Sequence, residues 1–286
     1  MMDALSIWWV ALCIASVFNI GAWTTSARLL HRRGADFPPA VYATRRLLLW
    51  LSAVYVLGCA FRSFLPMVDV PRICLQETWV SRIIVGRSIA TIAELCFVAQ
   101  WALLMREASA AANQRLAFVV SGALIPLIVI AEAASWFAVL STNNLFHAIE
   151  NSLWTAAAAL AMAACVALRS HVDAQSRRFL YAALGCGALY LLFMVTVDVP
   201  MYLSRWLDDV AAGHQRLAVL DGLREVAQRC RVVREWAAWR EEVPWLSLYF
   251  TAAVWISIAL PHVAAFQSAR DGSRSPAGTS RAVQPE

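Results

Sequence analysis

The sequence predicts an all-α fold: a polytopic membrane protein, a bundle of seven transmembrane helices with an amphipathic outer segment before the last span. Three observations predict it. Between residues 4 and 269 the chain repeatedly runs for 15 to 27 positions without a charge, and a bilayer span needs about 20 mostly apolar residues. Hydrophobic residues fill 60% of the 286 positions and charged ones only 15%, where a soluble domain carries about 25% charge. Thirteen residues are Trp, which collects at the two membrane interfaces.

Seven segments reach span length. The first, residues 5–26, follows Asp3 and is followed by Arg28, Arg32 and Arg33. With no basic stretch before it, it is expected to be an uncleaved anchor with its N-terminus outside. The second, 47–67, carries Tyr55, Cys59 and Arg62 on one face, and the third, 83–105, carries Arg87 and Glu94 seven apart. The fourth, 116–140, contains Glu132 and a bend-promoting Pro126. Only residues 141–144 separate it from the fifth, 145–168, so these two helices must be antiparallel neighbours. The sixth, 179–203, leads through Asp198 and Pro200 to Tyr202 and Arg205. The seventh, 245–266, follows Glu241, Glu242 and Pro244, acids that suit a helix start.

Between the last two spans, Leu220, Leu223, Ala227, Cys230 and Ala237 recur at helical spacing among Arg and Glu. Residues 203–244 are therefore expected to form an extracytoplasmic amphipathic connection, with Asp208 and Asp209 as candidate N-caps. Residues 1–268 make one seven-helix transmembrane domain. The remainder, 269–286, is rich in Ser, Arg, Gly, Ala and Pro and is expected to be a disordered cytoplasmic tail.

Charge asymmetry gives an orientation. With the N-terminus outside, the inner loops receive Arg28, Arg32, Arg33, Arg45, Arg46, Arg106, Arg115, Arg169, Arg177 and Arg178, while the short outer loops hold Arg72 and Arg82. Arginines in the long connection are nearly balanced by acids, and long loops weigh little in orientation. The expectation is an integral protein of the cell membrane, N-terminus outside and C-terminus cytoplasmic.

Several functional classes fall away. All 24 Lys/Arg positions are Arg, so no lysine exists to form a retinal Schiff base. No basic stripe interleaved with aromatics lies outside the spans, so nucleic acid is not an expected partner. The seven Cys show no C-x-x-C spacing, which removes zinc ribbons and thioredoxin-like pairs. Cys74 and Cys230 both fall on the outer side, where a disulfide would tie the second loop to the long connection. No phosphate-binding loop, dinucleotide fingerprint or nucleophile elbow occurs, and the sequence names no cofactor.

The functional signal is a layer of charge. An ionised group at the bilayer centre costs about 3 kcal/mol even on a lenient scale, so each needs a partner or a purpose. At about 1.5 Å per residue, Arg87 and Glu94 lie ~8 and ~18 Å below the outer start of the third span. Glu132 lies ~12 Å below the outer end of the fourth, and Glu150 ~10 Å into the fifth. Arg62 and Asp198 also sit in outer halves. Asn143, His147, Glu150, Asn151 and Trp154 stack on one helical face.

Three readings fit this layer. The charges pair to hold the bundle in register. Alternatively, Glu132, His147, Glu150 and Glu94 do acid–base or metal-assisted chemistry on a lipid-like substrate, with Arg62, Arg87, Asn151 and Asp198 binding it. Or the site binds a ligand, ion or proton without chemistry, for sensing or transport. His147 and Glu150 at i, i+3 have metal-ligand spacing, but no second or third His is in reach, so no metal ligand is assigned. Expected partners are the bilayer and a lipid or small-molecule ligand. The oligomeric state is not given by the sequence.

Overall fold

The computed structural model describes residues 3–228 and 230–269. Apart from Ala269, the tail expected to be disordered lies outside the described residues. Seven helices are long and apolar enough to cross a membrane: Ala4–Arg32, Pro39–Phe64, Ile83–Ala112, Arg115–Ser141, Asn144–Leu168, Ala174–Ala211 and Val243–His262. They overlap the seven segments read from the sequence and are called spans one to seven below. The fold is an all-α seven-helix membrane bundle.

Most spans run past their apolar cores into polar flanks, where side chains cap the backbone. Asp3 accepts from the Ser6 N–H at 2.8 Å, and Asn143 accepts from the Leu145 N–H at 3.2 Å. Spans three and four end on left-handed residues, Asn113 (φ 52°) and Thr142 (φ 55°), which turn the chain back at once. Span two stops at Phe64, three residues short of its apolar segment, because Pro66 disfavours helix at the residue before it.

Spans one to six pack in chain order, each against the next, and span seven returns against one and two. Span six rests chiefly on span five. Spans six and seven each widen into a π turn, Met194–Asp198 and Tyr249–Ala253. A π turn frees a backbone carbonyl that hydrocarbon cannot solvate; the Phe250 carbonyl accepts from Asn19 Nδ2 at 2.8 Å.

At the end of the bundle that carries the N-terminus, two connections fold into one cap. β1 (Met67–Val68) pairs antiparallel with β2 (Ile73–Cys74), and β2 pairs in parallel with β3 (Arg231–Val232). Cys74 and Cys230 form a disulfide, the pairing that the sequence made available. Arg72 donates to the Val139 carbonyl at 2.7 Å at the end of span four and pairs with Glu225. Fully buried Trp239 fills the cap against Trp8 and donates to the Val233 carbonyl.

Residues 203–244 are not one surface helix. Span six continues to Ala211, and among the described residues between it and span seven the helices are Val219–Val226 and Trp236–Trp239. Leu220 and Leu223, which recur at helical spacing, are exposed, whereas Gly222 and Val226 are buried. A Cβ at Gly222 would lie 1.8 Å from the Leu140 carbonyl oxygen, so close backbone approach sets which face turns inward. Asp208 and Asp209 lie inside span six rather than at a helix start; Asp209 accepts from Asn144 at 2.8 Å.

The opposite end is pinned by Arg45. By sequence it belongs with the loop arginines, yet it is fully buried. Its guanidinium makes two hydrogen bonds to Glu107, at 2.6 and 2.7 Å, and one to the Val263 carbonyl at 2.8 Å. His262 beside Pro261 bonds Ser26 at 2.7 Å.

Candidate functional site

Arg87 organises the charge layer. It is 4% exposed and projects from the first turns of span three into a ring of carboxylates. Its Nη2 lies 3.1 Å from Glu94, 2.5 Å from Glu132 and 3.4 Å from Glu150. Its Nη1 lies 3.6 Å from Asp69, which lies 3.6 Å from Arg62 on its other side. Glu132 also accepts from Thr91 at 2.6 Å, and Trp136 donates to Thr91 at 3.2 Å. His147 Nδ1 lies 2.9 Å from Glu150 Oε2, and its ring packs 5.0 Å from Tyr202.

Local folding explains this convergence. The tight turn between spans four and five places Glu132 and Glu150 at matching depth, and helix rotation turns both towards span three. Glu94 lies two turns below Arg87 on one face, within reach of the long guanidinium. Asp69 comes from the connection between spans two and three, folded back into the bundle beside β1.

Span six and the start of span seven close the layer. Arg205 lies 5.2 Å over the Tyr202 ring and pairs with Glu242 at 2.6 Å and Glu241 at 2.8 Å. Asp198, at the end of the π turn, is 2% exposed and makes neither a hydrogen bond nor an ion pair among the described residues. Six buried carboxylates (Asp69, Glu94, Glu132, Glu150, Asp198 and Glu242) thus face three guanidiniums, those of Arg62, Arg87 and Arg205. The excess of negative charge must be met by protons or by a cation.

A cavity of about 450 Å³ adjoins the layer. Arg62, Asp69, Arg87, Glu94, His147, Glu150, Asn151, Asp198 and Glu242 line one end of it. Trp101, Leu124, Ala157, Ala161, Met162 and Cys165 line the other, on the halves of spans three to five that lie away from the cap. Span six adds Gly187, Leu189 and Tyr190; span seven adds Trp245, Leu248 and Tyr249. Leu189 and Leu248 line the cavity yet are 70% and 46% exposed, so its wall reaches the flank of the bundle at spans six and seven. Phe193 stacks on Trp245 with ring centroids 6.0 Å apart above that seam.

The residues singled out from sequence are therefore sorted by geometry. Glu94, Glu132 and Glu150 meet on Arg87; His147 joins through Glu150, and Arg62 through Asp69. Asn151 and Asp198 line the cavity without touching Arg87. Single oxygens of Glu94, Glu132 and Glu150 lie within 4.8 Å of one another, the spacing of a cation site. Arg87 Nη2 already stands against all three, so the side chain holds the place a metal ion would take.

Sequence reasoning missed Asp69 and the inward face of Glu242. Asp69 lies outside every apolar run, but its neighbours Met67, Val68 and Val70 make its loop apolar enough to be buried, and that was its signal. In the sequence Glu242 looks like a helix-start acid; its counter-ion Arg205 is 37 residues away, which spacing does not reveal. Comparison with protein-family models, with curated proteins and with solved structures finds no match to this chain.

Proposed function

We propose that this protein binds a lipid-like amphiphile inside its helical bundle, with the polar end among the carboxylates and His147 and the hydrocarbon part in the apolar end of the cavity. The observation that supports this best is the shape of the chemistry along one cavity: charged at one end, hydrocarbon at the other, with a wall that reaches the bundle's flank at spans six and seven. Ligand sites are mostly apolar concavities with a few placed polar groups. An opening on that flank would let a chain enter from the acyl region without crossing the polar cap. Arg62 and Arg87 hold carboxylates in this reading and do not receive the ligand.

Filling the apolar end tests it. Ala158 lines that end and is half-buried. Ala158→Phe is expected to lower the lipid retained through purification at least tenfold, read by native mass spectrometry, while the melting temperature stays within a few degrees. Full lipid retention in the filled variant removes the proposal.

A second reading has its own observation. His147 and Glu150 form a 2.9 Å pair in the cavity wall, and a carboxylate that orients an imidazole leaves the far nitrogen free to carry a proton. In this reading His147 acts as acid or base on the ligand, with Glu150 holding its tautomer. Total membrane lipid incubated with the protein would then show a product by mass spectrometry. Glu150→Gln would slow its formation roughly a hundredfold. A wild-type protein that changes no lipid mass leaves the binding role alone.

The cap end is proposed to face the extracytoplasmic side of the cell membrane. Support comes from the disulfide in that cap, since disulfides persist in oxidising compartments, and from the arginines gathered at the opposite end.

A further inference from the structure

We infer that the polar end of the bound amphiphile is a positively charged amine. This rests on the cavity reading above and specifies its ligand. Asp198 carries it. The carboxylate is buried to 2% exposure at the last position of the Met194–Asp198 π turn. It lines the cavity without a hydrogen bond or ion pair among the described residues. A buried carboxylate needs a counter-charge or a proton.

The cations around it are committed elsewhere. Arg205 is shared between Glu241 and Glu242, and His147 faces Glu150. On the far wall, Arg87 is surrounded by four acids and Arg62 is turned towards Asp69 and the Met67 carbonyl. An anionic head would have to compete with those carboxylates for guanidiniums and would meet Asp198 as a like charge.

An ammonium meets the reverse. Asp198 offers it a charge-assisted acceptor, with Glu150 and Glu242 nearby on the same lining. Tyr190, Tyr202 and Trp245 add aromatic rings to the same end of the cavity, and such rings stabilise cations, quaternary ones included. π turns recur at functional positions in helices, and this one places the unpaired acid.

The amine can belong to a free long-chain base or to a phospholipid headgroup, and the test separates the two. The full-length protein in non-ionic micelles is titrated with hexadecylamine, lysophosphatidylethanolamine, hexadecanol and palmitate, with intrinsic Trp fluorescence and thermal stability as readouts. The expected result is that an amine-bearing chain binds at least tenfold more tightly than hexadecanol or palmitate. The tighter of the two amines identifies the source. Asp198→Asn should weaken that amine about tenfold and leave hexadecanol unchanged.

Equal binding of all chains, or preference for hexadecanol or palmitate, overturns the amine while the cavity reading stands. Failure of every chain to bind overturns both. Unchanged amine affinity in Asp198→Asn also overturns the inference. Should that variant not fold, the ranking on the unaltered protein decides.

Discussion

At the residue scale, Arg87 decides whether the layer is stable. Its guanidinium is the common partner of Glu94, Glu132, Glu150 and Asp69. Removing one partner from a buried ionic cluster costs about 3–5 kcal/mol, because the remaining charges stay in low dielectric uncompensated. Arg87→Met is therefore expected to lose that much in unfolding measured in mixed micelles, and Glu132→Gln in the same background to recover part of it. A loss below about 1 kcal/mol would show that the acids do not depend on this arginine. The depth of Glu132 and Glu150 was legible because a four-residue connection leaves little freedom in hairpin register. Their rotation towards span three was not, since both helices are apolar on several faces and a periodicity of 3.6 then points nowhere in particular. Asp69 was hidden for a different reason: loops are expected to be wet, and this one is buried by its apolar neighbours and by β1.

At the element scale, the spans were legible and their irregularities were not. Long uncharged runs specify helices because hydrocarbon leaves the backbone no other way to satisfy its hydrogen bonds. The π turn of span seven depends on Asn19, which is 231 residues from the carbonyl it serves, so no local pattern announces it. Span six offered more. Pro200 lacks an N–H and its ring crowds the carbonyl four residues earlier, that of Thr196; the turn Met194–Asp198 widens the helix around that position. A proline by itself implies a bend there; what the sequence conceals is that the widened turn carries Asp198, which lines the cavity. The connection 203–244 failed as a helix because its pattern competes with three tertiary ties: the Cys74–Cys230 bond, the pairing of Arg231–Val232 with β2, and the backbone contact of Gly222 with Leu140. Each acts on a residue that periodicity treats as an ordinary position.

At the scale of the whole molecule, the two ends of the bundle differ in kind. One end is covered by a folded cap stapled across 156 residues, and the charge layer and its cavity lie beneath that cap. The other presents Arg33, Arg46, Arg106, Arg115, Arg169, Arg177 and Arg178 around the pair of buried Arg45 and half-buried Glu107. Arginine resists translocation and disulfides need an oxidising compartment, so the two asymmetries point in one direction by independent physics. That agreement makes orientation testable with two reporters. Gln215, in the cap, and Gln175, at the start of span six, are both exposed. Gln215→Cys is expected to react with a membrane-impermeant maleimide in intact cells, and Gln175→Cys only after permeabilisation. The reverse pattern would place the cap in the reducing compartment, where Cys74 and Cys230 would be held as thiols, and the carboxylate end of the cavity would then open to the inner leaflet instead of the outer one.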